Sequence, residues 1–167
     1  MEEVLVANPQ QQIKVRNNWS KFTNEVFDKL TVITQRYQNN LEVQISGNAT
    51  KLPIKKRHLE FLLNELVNNA NKFSPKHTQI KIYFQNDENE LKIRVADNGP
   101  GIPDDALPHI FEKFFKYPND CNPTPVGAGL GLAIVEQITE KYGGKIQVNT
   151  LPGEGTEFVI WFSKRII

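Results

Sequence analysis

Three polar residues, Glu65, Asn69 and Lys72, recur along one edge of a helix-length stretch, His58-Leu-Glu-Phe-Leu-Leu-Asn-Glu-Leu-Val-Asn-Asn-Ala-Asn-Lys-Phe73. At roughly 100° per residue, Leu59, Leu62, Leu63, Leu66, Val67 and Ala70 share one broad apolar face. Glu65, Asn69 and Lys72 run along its flank, with Phe73 between them and the apolar stripe. Asn64, Asn68 and Asn71 fall on the far side and are expected to meet water. A carboxylate, an amide and an ammonium on the border of a core are costly to half-bury unless something occupies the space opposite. Carboxylate and amide oxygens suit a hard cation such as Mg²⁺, which takes one or two protein ligands plus phosphate oxygens. Taken alone, the stretch is better read as a capped amphipathic helix with an incidental polar flank.

Two further motifs carry chemistry. In Leu91-Lys-Ile-Arg-Val-Ala-Asp97 the apolar residues hold odd positions and Asp97 shares their parity. A regular strand therefore points that carboxylate into the covered face, where an unpaired charge is costly. Asn98-Gly99-Pro100-Gly101-Ile102-Pro103 follows, and its glycines allow close approach of the backbone to a ligand; the same residues also make an ordinary turn. Val126-Gly127-Ala-Gly129-Leu130-Gly131-Leu132 opens a helix. Its glycines leave backbone N–H groups uncovered at a positive helix end, which attracts phosphate. The spacing is G-x-G-x-G, with no preceding strand and no following G-K-S/T, so the dinucleotide-binding and P-loop readings both fail.

The elements that must position these residues follow in order. Residues 1–15 read as a polar linker or the tail of a preceding element, and 16–167 as the domain itself. Trp19, Phe22, Val26, Leu30, Ile33 and Tyr37 recur at helical spacing. Leu41–Ile45 alternates as a strand, and the central helix is stopped by Ser74-Pro75. Gln79–Phe84 and Leu91–Asp97 form a hairpin. Residues 98–128 are proline-rich with little periodicity, the mark of a lid or binding loop, and contain the aromatic cluster Phe111-Glu-Lys-Phe-Phe115. Leu130–Tyr142 is a helix closed by Gly143-Gly144, and Lys145–Thr150 with Thr156–Phe162 makes a last hairpin. This order predicts a two-layer α/β (α+β) sandwich: a mixed, largely antiparallel sheet covered on one face by three helices.

Composition sets outer bounds. The 167 residues carry a net charge of +1, too little for bulk attraction to nucleic acid or membrane. No apolar run approaches the roughly 20 residues needed to span a bilayer, and the N-terminus lacks the pattern of a secretory signal. Cys121 is the sole cysteine, so no internal disulfide forms, and a reducing, cytoplasmic setting is expected.

Together the three motifs propose one site: a Mg²⁺-binding amide, an inward acceptor for a base amine, and a phosphate-binding helix start. In this order they resemble the ATP-binding catalytic domain of two-component sensor histidine kinases, within the gyrase-like group of the Bergerat fold. Glu65–Phe73 resembles the N box of that family, Asp97–Gly101 its first glycine box, Ile110–Lys116 its F box and Gly127–Gly131 its second glycine box. The resemblance implies ATP and Mg²⁺ as ligands, with Asn69 holding the metal and Lys72 neutralising phosphate. Phe73 and Ile102 would pack on the nucleotide, Asp97 would accept from the adenine amine, and Gly99 and Gly101 would shape the base pocket. Gly127, Gly129, Leu130, Gly131 and Leu132 would form the phosphate-binding end of the lid, with Lys116 as a further basic group. Glu65 stands where gyrase-like hydrolases keep a water-activating carboxylate and many histidine kinases have Asn.

The family transfers phosphate to a histidine on a separate dimerisation domain and, through it, to a response regulator. His58, His77 and His109 lack the acceptor motif and read as structural or surface histidines. The expectation is a kinase catalytic domain, incomplete alone, that acts on a phosphoacceptor domain in trans, with no nucleic-acid or direct membrane contact. Two rivals stand beside it: an ATP hydrolase using Glu65, and a nucleotide-sensing interaction module without turnover.

Overall fold

The structure, a computed structural model, describes residues 3–5 and 20–164. In chain order it contains β1 (Glu3–Leu5), α1 (Ser20–Arg36), β2 (Asn40–Ser46), α2 (Lys56–Phe73), β3 (Gln79–Asn86) and β4 (Glu90–Ala96). A single 3-10 turn (Leu107–His109) interrupts the loop to α3 (Gly131–Lys141), followed by β5 (Lys145–Leu151) and β6 (Gly155–Ser163). The sheet has six strands in the order β1-β2-β3-β4-β6-β5. β2 and β3 run parallel, because α2 crosses between them, and every other pair is antiparallel. This is the mixed sheet with three helices that the sequence predicts.

Strict alternation decides which face the helices cover. Leu41, Val43 and Ile45 of β2, Ile80, Ile82 and Phe84 of β3, Leu91, Ile93 and Val95 of β4, and Phe158, Ile160 and Phe162 of β6 are buried. They meet Leu59, Leu62, Leu63, Leu66, Val67 and Ala70 of α2, the residues that the helical period places on its apolar face. The other face keeps polar side chains: the Arg94 guanidinium stacks on Tyr83 at 4.2 Å and pairs with Glu157 at 3.6 Å.

Three expectations are corrected. Glu3–Leu5, expected to be irregular, add a short edge strand to β2; Trp19 and the rest of the first 19 residues lie outside the described part. On α1 the buried stripe runs through Thr23, Val26, Phe27, Leu30 and Thr34, with Phe22 and Ile33 only partly covered. Asn71, expected to face water, is 2% exposed. Its Nδ2 donates to Thr34 Oγ1 at 3.1 Å and to the Val67 carbonyl at 3.0 Å, while its Oδ1 accepts from Asn39 Nδ2 at 3.2 Å. A helical wheel treats α2 as though one layer covered it. Its last turn is wedged against the end of α1 as well, so the buried arc there is wider.

Candidate functional site

α2 ends at the edge of a cavity. Ser74 leaves the helix with extended backbone (ψ 147°), as the following proline requires. Glu65, Asn69, Lys72 and Phe73, on the last turns, line a space of about 360 Å³. Ile102, Lys116, Gly127, Gly129, Leu130, Gly131 and Leu132 line the same space from the loop and the start of α3. Residues separated by more than sixty positions in sequence are thus brought together as expected. Asn68 also lines the cavity, so the expectation that it points away is corrected: the mouth is wider than one helical flank.

Glu65, Asn69, Lys72 and Lys116 have no side-chain hydrogen bond or ion pair among the described residues. Elsewhere the fold pairs comparable groups, as in Lys29–Glu60 at 2.9 Å. Glu65 reaches α3: its Oε2 fills the space a side chain at residue 131 would need, so only glycine fits there without moving the carboxylate. Gly129, with φ +70°, makes the backbone turn into α3, a conformation costly for other residues. The Gly129 carbonyl accepts from the Phe114 N–H at 2.8 Å, which ties the aromatic cluster to the glycine motif.

Asp97, Gly99 and Gly101 do not reach that cavity. They border a second hollow of about 10 Å³, whose walls also include Asn69, Phe73, Ile102 and Tyr117. The inward parity of Asp97 holds. Its N–H donates to the Thr156 carbonyl at 2.9 Å, continuing the ladder beyond β4. Its Oδ1 accepts from Gly99 N at 2.8 Å and Thr156 N at 3.2 Å, leaving Oδ2 without a bond among the described residues. Burial pushes its carboxyl up to about 6, against the pull of those two backbone donors. Burial and then the nearby Asp97 charge push the Tyr117 phenol up to about 12.

The loop between the motifs is only partly free. Ile102, Ala106 and Ile110 are buried in the core, whereas Phe114 and Val126 are 70% and 80% exposed. None of the three histidines lines the cavity. His58 Nδ1 lies 2.7 Å from the Tyr142 hydroxyl, His109 Nδ1 pairs with Glu112 at 2.7 Å, and the His77 N–H donates to the Gln38 carbonyl at 2.8 Å. Sequence reasoning missed Thr156 and Tyr117. Nothing marks Thr156 in the sequence, but Tyr117 extends the aromatic cluster by two residues.

The donor set fits a magnesium ion shared with a ligand. Asn69 and Glu65 offer unpartnered oxygens on the cavity wall, and no cluster of three His, Cys, Asp or Glu side chains is present among the described residues. Such a site suits a metal that retains phosphate and water ligands, not an all-protein cage.

Residues 54–166 match the family described as histidine kinase-, DNA gyrase B-, and HSP90-like ATPases. Over 129 residues the chain is 31% identical to the sensor histidine kinase YkoH of Bacillus subtilis, covering 77% of this chain and 28% of that protein. The signal transduction histidine-protein kinase AfsQ2 of Streptomyces coelicolor is 36% identical over 104 residues, covering 62% and 19%. Among solved structures, a mycobacterial sensor histidine kinase, MprB, superposes with a TM-score of 0.66 at 26% identity over 87% of this chain and 96% of that one. Full-length ShkA in complex with AMPPNP gives 0.71 at 25% identity, over 91% and 32%. The chain thus spans under a third of these curated relatives. It belongs to the histidine kinase-, DNA gyrase B- and HSP90-like ATPase family, as a catalytic ATPase domain of the sensor-histidine-kinase kind.

Proposed function

We propose that this domain binds ATP with Mg²⁺ and donates the γ-phosphoryl group to a histidine on a dimerisation domain, which passes it to a response regulator. The observation that carries this is the spacing of opposite chemistries along one wall. A half-buried carboxylate, Asp97, lies at one end, the glycine-rich start of α3 lies at the other, and Asn69 and Phe73 border both hollows. Asp97 Oδ2 accepts from the base amine, and Phe73 supports the base. Uncovered amides around Gly129 and Gly131 and the α3 dipole hold the phosphates, with Lys72 and Lys116 neutralising their charge. Asn69, with Glu65 beside it, holds the metal, whose bound charge would offset that of the phosphates. Phosphoryl transfer depends mainly on positioning and charge neutralisation, which these residues supply.

A second reading, hydrolysis with Glu65 activating water, is supported by the unpartnered Glu65 carboxylate beside Gly131. Titration calorimetry with ATP, with and without Mg²⁺, tests the binding site. Steady-state phosphate release separates the two chemistries: a slow or absent release favours transfer to histidine. Among the described residues no helix is long and apolar enough to cross a membrane, and we place the domain on the cytoplasmic side, where ATP is available.

A further inference from the structure

The two hollows share the wall formed by Asn69, Phe73, Ile102 and Tyr117, yet one holds about 360 Å³ and the other about 10 Å³. The Tyr117 ring lies on that of Phe73, with centroids 5.1 Å apart and planes only 16° from parallel. This is the offset stack that aromatic pairs prefer, and it closes the space beside Asp97. Tyr117 has a second ring neighbour in Phe115, at 6.2 Å. Residues 115–118 form no helix or strand, so local rotation can lift the ring away without breaking a ladder of hydrogen bonds.

We propose that Tyr117 holds the base subsite shut by taking the place of a purine on the Phe73 ring, so that a purine nucleotide binds by displacing it. This rests on the reading of Asp97 as the base acceptor. A phenol and a purine are both flat π-surfaces and compete for the same face of Phe73. A ligand with phosphates but no base needs only the larger cavity and leaves the stack closed. Tyr117 therefore sets an affinity threshold that acts on the base alone.

Calorimetry on the whole chain and its Tyr117→Ala and Tyr117→Phe variants, with ATP, adenosine and inorganic tripolyphosphate in Mg²⁺ buffer, tests this. Tyr117→Ala is expected to bind ATP and adenosine roughly 2- to 10-fold more tightly, the range set by loss of one competing aromatic pair. Its tripolyphosphate affinity stays at the wild-type value, which also shows that the variant is folded, and Tyr117→Phe behaves as wild type. Weaker or unchanged adenosine binding by Tyr117→Ala overturns the proposal, because the ring then supports the base or is irrelevant to it. A parallel rise in tripolyphosphate affinity overturns it too, since the whole loop has then opened. If instead adenosine binds no variant and Asp97→Asn leaves ATP affinity untouched, the base-site reading itself is wrong and the displacement falls with it.

Discussion

The Glu65 carboxylate occupies the space beside Gly131 where any other residue would place its Cβ. Two elements far apart in sequence therefore meet at the positive end of α3, and an acidic group already stands where phosphate is expected to bind. An anion at a helix N-terminus contributes about 0.3–1 kcal/mol. Glu65→Gln should lower stability by about that amount in a urea titration. By calorimetry it should bind ATP without Mg²⁺ at least as tightly as wild type, because a charge repelling phosphate is gone, and should gain less from added Mg²⁺, because a carboxylate beside Asn69 is gone. Any phosphate release that depends on Glu65 should vanish in the same variant.

Asp97 gives a pH prediction with opposite effects on stability and binding. Its carboxyl sits at about 6 in the fold, above its ordinary 3.8, so the folded chain holds more protons than the unfolded chain between those values. Its contribution thus favours folding fully below about pH 4 and is lost as pH rises to about 6. Asp97→Asn keeps an oxygen for the Gly99 and Thr156 N–H groups and carries no charge. It should be more stable than wild type at pH 7, by up to about 3 kcal/mol, with the gap closing near pH 4. Adenosine, which has no phosphate to titrate, should bind wild type less tightly below pH 6 and bind Asp97→Asn weakly at every pH.

Asn69 and Asn68 both line the large cavity, but only Asn69 also borders the hollow at Asp97. Asn69→Ala should remove the gain in ATP affinity that Mg²⁺ provides. The expected loss is roughly tenfold or more, hydrogen bonds to charged groups being worth about 1.5–3 kcal/mol. Asn68→Ala should keep most of that gain. Calorimetry with and without Mg²⁺ reads both, and equal losses contradict the assignment of Asn69 as the metal ligand.

Asn71 tests the fold independently of the site. Asn71→Ala leaves the Asn39 Nδ2 without its acceptor and removes a donor from Thr34. A buried group stranded in this way costs about 1–3 kcal/mol, so the urea midpoint should fall markedly while the Mg²⁺ dependence of ATP binding persists.

These residues also show what could be read from the chain beforehand. Alternation at Leu91–Asp97 predicts an inward carboxylate because strand parity is a local rule, and the hydrogen bonds at Asp97 agree with it. The period of α2 predicts the flank of Glu65, Asn69 and Lys72 for the same reason, and all three line one cavity. Asn71 was misplaced because its burial depends on α1, a neighbour that the period of α2 does not encode. Phe27 is missed in a similar way, since it meets Phe84 edge-on across the layers at 5.9 Å. Tyr117 and Thr156 reach the Asp97 hollow through loop and strand placement that no short pattern specifies.

The most direct measurement of the central claim is phosphoryl transfer from γ-labelled ATP, read as acid-labile label on protein. Neither His58, His77 nor His109 lines the cavity, and the imidazoles of His58 and His109 have hydrogen-bond partners elsewhere. Incubated alone, this chain should bind ATP and remain unlabelled. Given a dimerisation domain that it recognises and that carries an acceptor histidine, the label should appear on that domain and be lost in acid. An acid-labile label on this chain alone, or none on that domain despite ATP binding, would contradict the account.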